Sequence, residues 1–518
     1  MRCSLVSSIA VTCATVLALP VSLAAPAAAA VPSALGLPSA ATAQPPAPEL
    51  PGATQSLPLE PLDDSDRSLG GGTDDADVQG LTRRDVRPFS LVGVVWDDPA
   101  AALHGVVQVR TRATGGGAWS EWQDVETHNE EHGADPDTAE GHGRTLKGST
   151  APLWVGDSDG VEIRVRGDEP LPEGLRLELV DPGEAPGEAP GEAPAQDPGQ
   201  DPTAAAPVTA ATTATTASWS RTTAASLTLA GLSAAQAAVS GVNTQLAPFG
   251  AAWIPALSKE ATELTLPYAP RVPQAMAPPA AQSAPDEGQS APDEALAEAE
   301  SPVEAQAPDQ MAAAKPYIGP RPKIITRAGW GADERIREKG FVYTKTIKAA
   351  FVHHSATGNN YTCAQAPSVL RSIYRYHVQS SGWRDFGYNF AVDKCGNIYE
   401  GRAGGVAKPV LGAHTLGFNT NSMGIAVLGT FTKSTPPAAV VTAVARLTAW
   451  KLGLHGVNPK GSAYLVSGGG NLYKKGSTVK LNAIAGHRDG FATECPGARL
   501  YGKLGTARTS SAKYQGRS

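Results

Sequence analysis

Two residues that could bind a metal stand at the ends of the segment "GHRDGFATEC" (486–495). His487 and Cys495 are eight positions apart, and Pro496 directly follows the cysteine. Imidazole nitrogens and thiolates are ligands of Zn²⁺, and a catalytic zinc site keeps three protein ligands and leaves a fourth position to water. Because the segment contains Gly490, both side chains could converge on one ion. The spacing is also compatible with a free or disulfide-bonded Cys495 beside a histidine that stabilises a turn.

A third ligand must come from elsewhere in the chain, and the best candidates are the two histidines of "VHHS" (352–355). The run "KAAFVHHSA" (348–356) is apolar at first and polar at its end, which predicts a buried strand that delivers its histidines to a rim. Neighbouring strand residues point to opposite faces, so only one of His353 and His354 can face the other ligands. The pattern itself leaves open which one.

The surrounding segments predict an α/β domain over 318–505 with one central sheet. The run "YNFAVDKCGNIYEGR" (388–402) is typical of a hairpin, and "SMGIAVLGTF" (422–431) is typical of a strand. Apolar residues recur at helical spacing in "APSVLRSIYRYHV" (366–378) and in the segment 435–457. The sheet and its helices must therefore position the candidate ligands.

The preceding part of the chain has a different composition. Residues 86–181 alternate apolar and polar residues at period two, which predicts a small antiparallel β-sandwich. Its role stays open among binding a wall polymer, docking a partner and assisting export. The repeat "PGEAPGEAPGEAP" (182–194) lacks apolar groups, and Ala, Pro, Thr and Gln dominate up to Lys315. We therefore expect 182–315 to be a disordered linker between two domains.

The N-terminal residues predict export. Residues 1–30 contain Arg2, an apolar run and small residues with A-x-A cleavage sites, as in a secretory signal peptide. A retained membrane anchor is the alternative. Cleavage would leave a soluble protein, secreted to the extracellular space or associated with the cell wall. It would also leave three cysteines, an odd number that gives one thiol no disulfide partner.

Charge is distributed unevenly along the chain. Residues 316–518 carry 27 Lys+Arg against 8 Asp+Glu, whereas the preceding residues carry 16 against 42. A basic exported domain suits an anionic partner such as nucleic acid, a membrane surface or an acidic wall polymer. A basic surface that only confers solubility is the alternative.

Five segments, in this order, resemble the N-acetylmuramoyl-L-alanine amidase family shared by phage T7-type lysozymes and peptidoglycan recognition proteins. They are "ITRAGWGA" (325–332), "FVHHSAT" (351–357), "GWRDFGYNFAVDKCGNIYEGR" (382–402), "GAHTLGFNTNSMGIAVLG" (412–429) and "GHRDGFATECPG" (486–497). The β region followed by a Pro-rich linker also resembles secreted amidases of high-GC Gram-positive bacteria. The resemblance implies a mixed central β-sheet flanked by helices.

The resemblance also implies roles for single residues. Zinc would be bound by His353, the first histidine of "VHHS", by His487 and by Cys495. Tyr388 falls on the family's catalytic tyrosine. Thr493 falls on a second catalytic position, where we expect it to orient groups through hydrogen bonds. Members that only bind peptidoglycan have lost the cysteine, so its presence favours catalysis.

The same resemblance suggests substrate contacts and a disulfide. His414 and Asn419 resemble part of the groove that binds glycan and peptide, with loop hydrogen bonding as the alternative. Arg402 could meet a peptide carboxylate or form a structural ion pair. Cys363 and Cys395 would pair with each other.

We therefore expect a secreted peptidoglycan hydrolase that uses zinc-activated water to cleave the amide bond between N-acetylmuramic acid and L-alanine. Its partner would be the glycan strand with its stem peptide, with anionic wall polymers as further partners. We expect a monomer that binds neither nucleic acid nor, after signal cleavage, a membrane. A recognition protein with little or no catalysis is the alternative. A zinc peptidase would need a glutamate base, and the sequence contains no H-E-x-x-H motif.

Overall fold

The computed structural model describes residues 52–62, 78–129, 131–184, 232–265 and 317–518. The predicted signal peptide (1–30) and most of the predicted linker lie outside these ranges. Within them, no helix combines the length and the apolar character needed to cross a lipid bilayer.

The N-terminal domain is an antiparallel β structure that begins at Ala53, well before the predicted start at residue 86. Its strands pair in the order β1-β8-β3-β7-β4-β5, with β2 and β6 added to β3. The period-two pattern predicted β4, β8, the end of β3 and the end of β7, because alternate residues enter the core, as Val107 and Val109 of β4 do. The strands are β1 Ala53–Pro58, β2 Glu60–Pro61, β3 Val78–Trp96, β4 Gly105–Ala113, β5 Gln123–Val125, β6 Gly148–Ser149, β7 Leu153–Gly167 and β8 Arg176–Asp181.

Part of the predicted linker is folded. Residues 232–265 form helix α1 (Ala234–Gly241), strand β9 (Trp253–Ile254) and helix α2 (Lys259–Thr265). The prediction of a disordered linker over 182–315 is wrong for these residues, because the apolar patch "FGAAWIPAL" adds Ile254 to the core of the C-terminal domain. The segments 185–231 and 266–316 lie outside the described residues.

The C-terminal domain contains the predicted mixed sheet with helices. Seven strands lie in the order β17-β11-β14-β12-β13-β10-β9, and β11 runs parallel to both β14 and β17. A separate hairpin consists of β15 and β16. The elements are β10 Ile324–Ile325, α3 Arg327–Trp330, β11 Ala349–His354, α4 Ala366–Arg375, β12 Phe390–Val392, β13 Ile398–Glu400, β14 Ser422–Val427, α5 Ala438–Leu454, β15 Ser462–Val466, β16 Thr478–Asn482, β17 Ile484–Gly486, α6 Ala498–Tyr501 and α7 Leu504–Tyr514.

Helices cover both faces of this sheet. One core contains Leu447 of α5 and Leu504 of α7 packed with Ile425 of β14. The other contains Ile373 of α4 and, from the N-terminal domain, apolar residues of β3, β7 and β8 such as Trp154. The two domains therefore share one core, and strand β11 is buried along its whole length.

The predicted disulfide is present. Cys363 and Cys395 are bonded, which ties the turn before α4 to the hairpin of β12 and β13. The third described cysteine, Cys495, is a buried free thiol.

Candidate metal centre

The topology of the sheet brings His353 and His487 together. Strand β11 ends at His354, and β17 ends at Gly486, directly before His487. The two strands are parallel neighbours, so their carboxyl ends meet at one edge of the sheet. The imidazole ring centroids of His353 and His487 lie 4.4 Å apart.

Four residues offer metal-binding atoms at this edge. Ligand atoms of His132, His353, His487 and Cys495 lie within 4.8 Å of one another, and all four residues are buried. The Cys495 Sγ atom is 3.8 Å from Nδ1 of His353. His354 lies outside this cluster, and its Nδ1 accepts a hydrogen bond from the backbone N–H of Phe431.

The chemistry of the donor set suits a divalent cation. Burial, together with the neighbouring histidines, holds the pKa of His353 and of His487 well below the ordinary value, so both rings are neutral and keep a lone pair for a metal. Burial also raises the pKa of the Cys495 thiol, and a bound cation would oppose that shift. Among the described residues, neither ring nitrogen of His132 or of His487 has a hydrogen-bond partner. A buried polar group without a partner costs about 1–3 kcal/mol, which an ion shared by these atoms would offset.

Hydrogen bonds hold the ligands from behind. The hydroxyl of Thr415 lies 3.4 Å from Nε2 of His353, opposite the nitrogen that faces Cys495. The backbone N–H of Cys495 donates to Thr493 Oγ1 at 3.1 Å. Such contacts orient a ligand before the metal binds.

A cavity of about 450 Å³ adjoins the cluster, and Tyr388, Thr493 and Cys495 contribute to its lining. The Tyr388 ring centroid is 5.2 Å from that of His353. Burial and the nearby Cys495 raise the pKa of the Tyr388 hydroxyl well above its ordinary value, so it is protonated at neutral pH and can donate a hydrogen bond.

Comparison with known proteins agrees with this geometry. The family described as N-acetylmuramoyl-L-alanine amidase matches residues 343–498. Peptidoglycan-recognition protein SC2 of Drosophila melanogaster is 30% identical over 183 residues, which cover 35% of this chain and 85% of that protein. The chain belongs to the amidase and peptidoglycan-recognition protein family. Its N-terminal part, residues 38–207, matches the domain described as Rv3811 N-terminal galactose-binding domain-like.

Two further relatives of the amidase domain have informative names. Human N-acetylmuramoyl-L-alanine amidase is 30% identical over 190 residues, which cover 36% of this chain and 28% of the human protein. A solved structure of peptidoglycan recognition protein-LE in complex with tracheal cytotoxin, a monomeric diaminopimelic acid-type peptidoglycan, is 30% identical and covers 35% of this chain and 92% of that one, with a TM-score of 0.28.

The residues predicted to bind substrate in the amidase domain do not line this cavity. Asn419 Oδ1 accepts the backbone N–H of His414, and its Nδ2 donates to Asp135 of the N-terminal domain. The guanidinium of Arg402 forms an ion pair with Glu140. All of these groups are buried, so their contacts in this structure are with protein, and their role in substrate binding stays a prediction.

Sequence reasoning missed the contribution of the N-terminal domain to the candidate metal centre. His132 and Glu131 lie in the segment 126–147 between β5 and β6, which we call the β5–β6 loop. Its described residues are 126–129 and 131–147. The available signal was its length, since irregular loops longer than about 12–15 residues are uncommon and are often functional.

Proposed function

We propose that this chain is a secreted, zinc-dependent N-acetylmuramoyl-L-alanine amidase. It would hydrolyse the amide bond between the lactyl group of N-acetylmuramic acid and the L-alanine of the stem peptide. The observation that carries this proposal is the buried convergence of His353, His487 and Cys495 inside the family's matched domain. Two neutral imidazoles and one sulfur are a donor set that suits zinc.

Zinc held there would supply a nucleophilic water at neutral pH and a Lewis acid for the scissile carbonyl. The protein supplies the remaining groups. The protonated Tyr388 hydroxyl can donate a hydrogen bond to the oxygen that gains negative charge during attack on the amide. Thr493, which accepts the backbone N–H of Cys495, positions the segment that carries the sulfur.

Peptidoglycan is the substrate that the relatives support. The Drosophila melanogaster relative is named for peptidoglycan recognition, and the human relative is named for the proposed activity. Residues 316–518 carry 27 Lys+Arg against 8 Asp+Glu, which favours attraction to an anionic wall. The proposal that the protein is secreted rests on the signal-like residues 1–30.

Peptidoglycan recognition without catalysis is the second candidate. The observation that favours it is the similarity to recognition proteins, including SC2 at 30% identity. The two functions differ in a measurable product, because only an amidase generates a new N-terminal L-alanine from purified peptidoglycan.

The first test is metal content and product release by the purified full-length protein. We expect one zinc per chain, loss of the metal in His353→Ala and Cys495→Ala, and no release of N-terminal alanine by these variants. His354→Ala is the matched control and should retain the metal, because its side chain lies outside the cluster. A metal-free wild-type protein would contradict the proposal. The proposal would also be contradicted if neither the wild-type protein nor the variants His132→Ala and Glu140→Gln generated a new N-terminal L-alanine.

A further inference from the structure

The β5–β6 loop of the N-terminal domain lies across the amidase site. The imidazole ring of His132, in this loop, is buried beside two of the predicted zinc ligands. Its centroid lies 4.5 Å from the ring centroid of His487 and 5.4 Å from that of His353. The Glu131 carboxylate is 3.9 Å from Nδ1 of His132, too distant for a hydrogen bond. Neither Nδ1 nor Nε2 of His132 has a hydrogen-bond partner among the described residues, although the His132 side chain is only 8% exposed.

Three carboxylates of the same loop contact residues to which sequence analysis gave catalytic or substrate-binding roles. Glu131 accepts a hydrogen bond from the Thr493 hydroxyl at 2.6 Å. Asp135 accepts from Nδ2 of Asn419 at 3.1 Å and from the backbone N–H of Gly417.

Glu140 completes this set of contacts. It forms a bidentate ion pair with Arg402, in which Nη1 lies 2.7 Å from Oε2 of Glu140 and Nη2 lies 2.8 Å from Oε1. The stem peptide of peptidoglycan also carries carboxylates, so the loop presents the same chemical groups as the proposed substrate. Loop and substrate would compete for Arg402 and Asn419.

We propose that the β5–β6 loop is a built-in, reversible inhibitor and that His132 is the fourth protein ligand of the metal. This inference rests on the proposed amidase function. A catalytic zinc needs an open coordination position, whereas four protein ligands make a closed, structural site. With His132 bound, the position that water needs is taken. Withdrawal of His132 opens it.

The architecture allows the loop to move without unfolding its domain. The strands on either side are paired inside the N-terminal sheet, β5 with β4 and β6 with β3. The loop itself is held by polar and charged contacts, which include ion pairs of Arg144 with Glu338 and of Asp137 with Lys475. An acidic wall polymer can replace such contacts. We therefore infer that peptidoglycan itself displaces the loop, beginning at the 450 Å³ cavity beside it.

Cobalt spectroscopy of the full-length protein tests the ligand directly. In Co²⁺-substituted wild-type protein, the visible spectrum should not change when azide is added, because no coordination position is open. In His132→Ala the spectrum should shift with azide, and a chelator should remove the metal about ten-fold faster or more. His142→Ala is the control, since His142 is an exposed histidine of the same loop, and it should behave as wild type.

The rate at which stem peptides with a free N-terminal L-alanine are released tests whether the β5–β6 loop inhibits the enzyme. We expect His132→Ala and Glu140→Gln to release product at least about ten-fold faster than wild type at low peptidoglycan concentration. A disulfide that holds the β5–β6 loop in place should instead reduce product release. We choose Asp135 and Gly468 for an engineered disulfide because a Cβ atom at Gly468 would lie 3.5 Å from Cγ of Asp135. Oxidised Asp135→Cys/Gly468→Cys protein should be inactive and should regain activity on reduction, with equally treated wild type as the control.

The outcomes separate the two proposals. Azide binding to wild-type cobalt protein, or an active wild type with an inactive His132→Ala variant that retains its metal, would overturn the inhibitory loop and leave the amidase proposal standing. If no variant holds a metal or releases alanine, both proposals fail.

Discussion

At the scale of single residues, the site depends on which of two adjacent histidines faces the cluster. His353 does so, with Thr415 behind its second nitrogen. His354 instead accepts a backbone hydrogen bond from Phe431. This division follows from strand geometry, in which consecutive side chains point to opposite faces. The same reasoning explains why one member of the pair can bind a metal while its neighbour stabilises the fold.

Tyr388 provides the residue-scale prediction. Its hydroxyl is protonated at neutral pH, so removal should weaken stabilisation of the charge that develops during amide hydrolysis. Tyr388→Phe should lower kcat by about 100-fold, the range found for loss of one such hydrogen-bond donor. Zinc content should be unchanged, because the hydroxyl is not among the clustered ligand atoms. To separate this effect from inhibition by the loop, kcat is compared in the His132→Ala background. An unchanged kcat there would exclude the proposed role.

At the scale of elements, the parallel neighbours β11 and β17 decide where ligands meet, and helix α5 supports the sheet from one side. Helix α5 is anchored by Lys451, whose buried Nζ donates to the backbone carbonyls of Val406 and Lys408 at 2.7 Å. These hydrogen bonds join helix α5 to the segment between β13 and β14 that contains Val406 and Lys408.

The buried lysine makes stability depend on pH. Burial lowers the pKa of Lys451 to about 7, below its ordinary value of 10.5. Between these values the unfolded chain binds the proton more readily, so this residue makes the free energy of unfolding rise with pH from about 7 to 10. Below pH 7 the cost of burying the charge is fully present.

Urea unfolding of wild type and Lys451→Met at several pH values measures this contribution. The stability of wild type relative to the variant should increase between pH 7 and pH 9.5. The exposed Lys480 offers a control, and Lys480→Met should follow wild type at every pH. A constant difference between wild type and Lys451→Met would refute the assignment.

At the scale of the whole molecule, the two domains are joined by a shared core. The hydroxyl of Tyr376, in the π-helical turn Tyr376–Ser380 that follows α4, lies 3.2 Å from the Val94 carbonyl and 3.0 Å from the Thr150 carbonyl of the N-terminal domain. Gly93 permits this approach, because a Cβ atom there would collide with the Tyr376 ring. These contacts between Tyr376 and the N-terminal domain, which we call the domain joint, fix the sheet that carries the β5–β6 loop against the amidase domain.

The variant Tyr376→Phe tests whether the Tyr376 hydroxyl stabilises the domain joint. It takes the hydroxyl donor away from the buried Thr150 carbonyl, whereas the Val94 carbonyl still accepts the backbone N–H of Thr150, so the free energy of unfolding should fall by about 1–3 kcal/mol. The measurement is urea denaturation followed by tryptophan fluorescence, with Tyr464→Phe as the control because Tyr464 is 58% exposed. If both variants match wild type, the hydrogen bond does not stabilise the joint.

Local pattern was enough to predict much of this protein. Period two predicted β-strands in residues 86–181, and helical spacing predicted α4 and α5. The match of five ordered segments predicted the mixed sheet and the candidate ligands His353, His487 and Cys495, which the fold brings together. These features are carried by residues close together in the sequence, or by segments whose order alone is distinctive. The folded segment 232–265 was missed because most of its composition is that of a linker.

Only the tertiary structure brought His132 to the metal site. It is more than 200 positions before His353 in the chain, in a polar loop whose composition is that of an ordinary connection. Contacts over such separations depend on how two domains pack, and here they depend on apolar residues of β3, β7 and β8 that bury against α4. The sequence by itself determined which residues could hold a metal in the amidase domain. The packing of the domains determined that His132 joins these residues and that three carboxylates of its loop contact Thr493, Asn419 and Arg402.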